Sequence, residues 1–283
     1  MESAEYLIRT HSYGAAAGSL LVSRWRSPGL WADKLKRAAL VLTAAQVQAA
    51  RLAEAFTVSQ IGPAEASLVP EAFAGMASDG RPLDSLLVGA AVAANAKVGV
   101  REAQRAAEAW LRLVAVSQVA DAARGALRSS MAVRDASGLR VANLPCCPRC
   151  AALAGRVYHW SAGFQRHPGC DCTLKPIPGR ASVAEDDEIP LNQIRGLSAA
   201  DRKAVEMGAD LQDVVNAQRG MYTADTYGRR VKATFDSTMH RDAKFPRRTN
   251  PNSPRLRPES ILEAADGDPE VAIRLLRRFG YIK

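Results

Sequence analysis

The five cysteines of this 283-residue chain all fall between positions 146 and 172, and no other feature of the sequence restricts the fold as tightly. Four of them frame a histidine: Cys147-Pro-Arg-Cys150, a gap, then His167-Pro-Gly-Cys170-Asp-Cys172. Thiolates and imidazole are the donors that tetrahedral zinc prefers, and two ligand pairs separated by a loop is how small zinc sites are assembled. A Cys-x-x-Cys turn sets two sulfurs within reach of one ion. In Cys170-Asp171-Cys172, alternation along an extended segment sends both sulfurs to one side, and His167 can add a nitrogen from the loop. Cys147, Cys150, His167, Cys170 and Cys172 are therefore five candidates for four positions on a structural zinc, and the sequence leaves the odd one open. Cys146 falls outside the set, because using it would replace the two-residue turn with a poorer one.

Reduced thiols without metal, and disulfides, stand beside zinc as alternatives. The odd cysteine count, and Glu2 and Glu5 where a signal peptide needs basic residues, weigh against a secreted disulfide framework. Three or four thiolates leave excess negative charge even around zinc, and Arg149, Arg156 and Arg166 lie nearby in sequence to offset it. A deaminase-type catalytic zinc needs His-x-Glu ahead of Pro-Cys-x-x-Cys. Here no histidine is followed by glutamate two residues on, and Cys146 rather than Cys147 follows Pro145.

Up to about position 139 the pattern is helix after helix, rich in alanine, which favours close packing through small side chains. Over 31–58 the apolar positions Leu35, Ala38, Leu42, Ala45, Ala49, Leu52 and Phe56 recur every three or four residues, forming one stripe. Breaks follow at Gly62-Pro63, Val69-Pro70 and 79–82. A second long helix is expected over about 101–128, with Ala103, Ala107, Trp110 and Val114 on its buried side. Short strands are expected at 138–141, 156–160 and 172–175. Pro176, Pro178, Gly179 and the acidic 185–188 run read as a surface linker. Farther on, Ser198 caps a helix that stops at Gly208, Asp210 caps another running to Gly220, and Asp268-Pro269 opens a third that Gly280 closes. The expected fold class is mainly α. It comprises an alanine-rich helical domain over 1–135, a small metal-stapled module containing a β-hairpin over 136–180, and a linker, short helices and basic C-terminal region over 181–283.

The segment from Cys147 through Leu153, Gly155 and Tyr158 to His167-Pro-Gly-Cys170-Asp-Cys172 resembles the signature of the phage Mu protein F-like minor head proteins, particularly those of actinobacteriophages. In that family Cys-x-x-Cys is followed by Leu-x-Gly-x-x-Tyr and a His-Pro-x-Cys-x-Cys ending. The stretches 208–221 and 273–281 are also similar, so the likeness covers roughly the C-terminal half, from about Val141 onward. It implies a minor capsid protein of the virion head, assembled in the host bacterial cytoplasm. The implied partners are the portal protein and the major capsid protein. Some relatives are labelled capsid maturation proteases, which makes protease the alternative function.

The formal charge of +9 is uneven. Arg229, Arg230, Lys232, Arg241, Lys244, Arg247, Arg248 and Arg255 crowd the stretch 219–257, against Asp225, Asp236 and Asp242. Such a run attracts polyanions, and nonspecific contact with packaged double-stranded DNA is the expectation it carries. A solvated connector is the plainer alternative. The longest apolar run, 86–94, is about half the length of a membrane span, so no membrane partner is expected. For an enzyme, the histidines are His11, His159, His167 and His240, and Gly-x-Ser-x-Gly, phosphate-loop and dinucleotide patterns are missing from the sequence. A nucleophile and base assembled from distant positions would escape that search.

Overall fold

The computed structural model describes residues 1–66, 68–162, 172–180, 189–226, 229–234 and 255–282. The side chains of Thr226 and Arg229 fall outside the description. His167, Cys170, Arg166, the acidic 185–188 run and the cations Arg241, Lys244, Arg247 and Arg248 lie outside the described residues. Contacts divide the chain into two compact units, Met1–Asn143 with Gly155–Asp186, and Leu144–Ala154 with Asp187–Lys283. This grouping cuts the 136–180 segment in two.

The first unit is built on three long helices, α1 (Ser3–Arg26), α2 (Trp31–Ile61) and α5 (Val100–Ala132), with α3 (Leu83–Leu87) and α4 (Gly89–Asn95) between the second and third. The expected stripe of α2 is the one that is buried, from Ala38 and Leu42 through Ala49 and Leu52 to Phe56. Gly62, with φ of +83°, ends this helix where Gly62-Pro63 signals a break. The stripe is not wholly apolar. Gln46 of α2 is buried, donates to the Met76 carbonyl at 3.0 Å and accepts from the Gly75 N–H at 2.9 Å. Gln118 of α5 accepts from the Ser78 N–H at 2.8 Å. These two amides fasten the 75–78 loop to the bundle, since buried backbone groups must find partners.

Close approach sets the bundle geometry. Gly14 and Gly18 lie one turn apart on α1, and a Cβ at Gly14 would stand 2.8 Å from Val116 Cα on α5. At the other end of the bundle Tyr6 stacks on Phe56, ring centroids 4.4 Å apart. Burial pushes the Tyr6 hydroxyl up to about 12. The folded value then lies above the unfolded one near 10, so this stabilisation is full below pH 10 and is lost as pH rises to about 12. Two pH units correspond to about 3 kcal/mol. Urea midpoints measured between pH 9 and 12 should fall less steeply for Tyr6→Phe than for the wild type; equal slopes would refute the assignment.

Against this end of the bundle lies a three-stranded antiparallel sheet of β1 (Ser137–Val141), β2 (Val157–His159) and β3 (Thr173–Ile177), in the order β2-β1-β3. The three strand segments expected from sequence are present. The expected β-hairpin corresponds to the antiparallel pairing of β1 with β2, closed by the long connection 142–156, and β1 also pairs with β3. Pro176, expected in a linker, belongs to β3 opposite Gly138. An edge strand tolerates proline because the missing N–H can face away from the ladder.

The second unit holds α6 (Pro148–Leu153), α7 (Ala199–Glu206), α8 (Leu211–Asn216), α9 (Pro258–Ala265) and α10 (Pro269–Arg278). A second antiparallel sheet joins β4 (Met221–Thr226), β5 (Arg229–Thr234) and β6 (Arg255–Leu256). The capping signals are accurate. Ser198 accepts from the Asp201 N–H, Asp210 from the Asp213 N–H, and Asp268 from the Glu270 and Val271 N–H groups. The Asp210 helix nevertheless stops at Asn216, short of Gly220. Over 221–226 and 229–234 the basic stretch is a strand pair and not a solvated connector. Val231 joins a core with Leu256, Ile261 and Leu276, and Ala233 is buried, while Arg230 and Lys232 stay exposed, the alternation of a half-buried strand. No helix among the described residues is long and apolar enough to cross a membrane.

Candidate functional site

Within the second unit the Cys-Pro-Arg-Cys segment forms the start of α6. Pro148 occupies the first turn, where its fixed φ suits the helix and its missing N–H costs nothing. Cys147 takes the N-cap position, and its Sγ accepts the Cys150 N–H at 3.4 Å, the role a serine or aspartate oxygen usually fills. Cys150 is buried and Cys147 half-buried. This turn fits half of a tetrahedral thiolate site. Cys146 is buried as well, and its backbone bonds Gln193 and Arg195 on either side at 2.9 and 2.8 Å. Strand-like backbone pairing therefore holds Cys146.

Cys172 belongs to the first unit, just before β3, and is fully buried. Its carbonyl accepts from Arg124 Nε at 3.1 Å. The cation that meets it is Arg140 in the middle of β1, which is 1% exposed and hydrogen-bonds to Cys172 and Tyr158. Burial opposes the charge on Arg140, yet the combined pull of Cys172 and Tyr158 holds its pKa above the usual value. The cations singled out from sequence were Arg149, Arg156 and Arg166; Arg149 and Arg156 are exposed. Sequence reasoning missed Arg140. The signal was there in a strand segment, Gly138-Leu-Arg-Val141, that places a charged residue in a small central strand.

The structure also gives the family-like spacing a local rationale. Gly155, after α6, has φ of +76°, a conformation that favours glycine. Tyr158 sits in β2 opposite Gly138 and touches Arg140. Among the described residues no group of three or more His, Cys, Asp or Glu side chains is gathered to hold a metal ion. Of the five proposed ligands, Cys147 and Cys150 are brought together, Cys172 belongs to the other unit, and His167 and Cys170 lie outside the described residues.

The basic stretch divides in two. Arg230 and Lys232 are exposed on β5, with Arg230 3.9 Å from Asp225. Arg255 is instead internal. It lies 4.1 Å from the centroid of the Tyr281 ring and donates to the Phe279 carbonyl at 2.9 Å. Arg257 is buried and pairs with Glu259 at 3.1 Å. Arg255 and Arg257 therefore stabilise the second unit and offer no charge to a polyanion. Three further cations, Arg274, Arg277 and Arg278, are exposed on α10. The α7–α8 pair has the turn of a helix-turn-helix, but α8 carries no lysine or arginine and buries Asp213, Val214 and Val215, unlike a helix that reads the major groove.

No family model, curated protein or solved structure matches the chain.

Proposed function

We propose that this chain is a structural minor head protein of a tailed phage, acting in head morphogenesis with the portal and major capsid proteins. The observation that carries the reading is the ordered run Cys147-x-x-Cys150, Leu153, Gly155, Tyr158, His167-Pro-x-Cys170-x-Cys172. It gains support from the local roles of Cys147, Cys150, Gly155 and Tyr158 described above. In this reading zinc is held by Cys147 and Cys150 with further ligands drawn from His167, Cys170 and Cys172. The ion would supply structure, fixing thiolates that a small sheet and a six-residue helix cannot order alone.

The test is co-expression of the full chain with the portal and major capsid proteins of the same phage. Incorporation into head-like particles in few copies, with the capsid protein uncut, is the expected result. Particles that assemble normally and exclude the chain would sink the reading. Cleavage of the capsid protein, abolished by changing one serine or histidine of this chain, would move the assignment to a maturation protease.

Contact with packaged DNA belongs to the same proposal and rests on the exposed cations Arg230, Lys232, Arg274, Arg277 and Arg278. Retention on duplex DNA of unrelated sequences should fall steeply as salt rises from about 50 to 200 mM. The double variant Arg230→Glu, Lys232→Glu should show a shallower salt slope by about two counterions. Retention that ignores salt, or a slope unchanged in the variant, would remove DNA from the partners.

A further inference from the structure

Asp135, His159 and Ser161 stand in line in the first unit. The register of the sheet brings them together: His159 ends β2 opposite Ser137, and Asp135 precedes that serine by two residues. Asp135 Oδ1 lies 3.3 Å from His159 Nε2, and His159 Nδ1 lies 2.8 Å from Ser161 Oγ. For the neutral imidazole the chemistry of the partners sets the protons. An ionised carboxylate only accepts, so Nε2 carries the hydrogen. Nδ1 is then the acceptor, and the Ser161 hydroxyl donates to it. That is the order of nucleophile, base and orienting acid.

Asp135 is held for this role from several directions. Its φ of +43° is uncommon for a residue other than glycine, and its N–H donates to the Ala132 carbonyl at 3.1 Å. Trp160 Nε1 donates to the same Oδ1 at 3.3 Å, and Arg180 Nε lies 3.4 Å from Oδ2. The hydrogen bonds from Trp160 and His159, with the Arg180 charge, keep its carboxyl below the usual range. Ser161 is exposed and therefore open to a substrate.

We propose that Asp135, His159 and Ser161 form a nucleophilic serine centre that hydrolyses carboxylic esters with good leaving groups, such as aryl esters and thioesters. Ser161 Oγ bonds to the acyl carbon as its proton passes to His159 Nδ1. The bond to the leaving aryloxide or thiolate then breaks, and that group takes the proton from Nδ1. Water repeats the sequence: its oxygen bonds to the acyl carbon, its proton goes to Nδ1, and the acid departs as Oγ regains the proton. The balance is ester plus water to acid plus phenol or thiol. Two features limit the centre to activated acyl groups. The Ala162 N–H next to the nucleophile is engaged by the His159 carbonyl at 3.0 Å, so the position that supplies an oxyanion donor in many serine hydrolases is already occupied. Asp135 is also 61% exposed in its side chain, and water screens its support of the imidazolium.

This activity does not depend on the head-protein reading, and its failure would leave that reading standing. The full-length protein is treated with an alkyl fluorophosphonate, then analysed by intact mass and peptide mapping. One adduct per chain, on Ser161, is expected. His159→Gln should slow labelling roughly a hundredfold, and Asp135→Asn should slow it by a smaller factor. Turnover of p-nitrophenyl acetate should fall in the same order, with far-UV circular dichroism unchanged in each variant. No adduct on Ser161 of the wild type, or labelling as fast in His159→Gln, overturns the proposal.

Discussion

Stripping the purified protein with a strong chelator should remove one equivalent of zinc and lower its melting temperature on the order of 10 °C or more. The size follows from the roughly 10 kcal/mol that a structural zinc contributes in small thiolate sites. Cys147→Ser and Cys150→Ser should each abolish stoichiometric metal, because both sulfurs belong to one turn, linked by the N–H that Cys150 donates to Cys147. Cys146→Ser should retain the metal, since the role of Cys146 is backbone pairing to Gln193 and Arg195. Metal analysis of the three variants beside the wild type separates the ligands from their neighbour. A native preparation without metal, melting identically with and without chelator, would end the zinc assignment.

Gly14→Ala should destabilise the first unit by about 1–3 kcal/mol, although alanine is the better helix former by about 1 kcal/mol. The added carbon would sit 2.8 Å from Val116 Cα, a backbone atom that cannot rotate away. Relief requires α1 and α5 to separate along their contact, loosening the core around Ala17, Leu21 and Leu111. For a unit of this size the melting temperature should drop by about 2–4 °C per kcal/mol. Gly125→Ala is the control. Its new carbon would meet only the Phe73 ring at 3.4 Å, and the gain in helix propensity should leave stability unchanged or slightly raised. If Gly14→Ala melts as high as Gly125→Ala, the two helices are not as close as described.

Much of the local structure is legible in the sequence. The stripe from Ala38 to Phe56 identifies the buried face of α2 because a period near 3.6 admits only one such face. The capping residues Ser198, Asp210 and Asp268 act where a short polar side chain can satisfy the first N–H groups. What escaped were the residues whose role depends on a partner far away in sequence. Gln46 and Gln118 look like solvent-facing amides until the 75–78 loop lies across them. Arg255 and Arg257 read as part of a polyanion-binding run, whereas Tyr281 and Glu259 draw them inward. Alternation in Val231-Lys-Ala-Thr234 was legible as a strand but was masked by the charge density around it.

The candidate sites divide along the same line. Spacing alone defined the Cys147–Cys150 turn, because two residues three apart around Pro148 share the first turn of α6 whatever surrounds them. The line of Asp135, His159 and Ser161 was invisible, since Asp135 and His159 are 24 positions apart and only antiparallel pairing of β1 with β2 sets them side by side. Sequence by itself determined the two long helices α2 and α5, the caps at Ser198, Asp210 and Asp268, the three strands of the first sheet and the cysteine turn, all products of short-range sterics and hydrogen bonding. Tertiary structure alone decided which charges are buried, how near α1 comes to α5, and which acid faces which histidine. Those outcomes depend on contacts between distant segments, and pairwise proximity of that kind leaves no periodic trace along a chain.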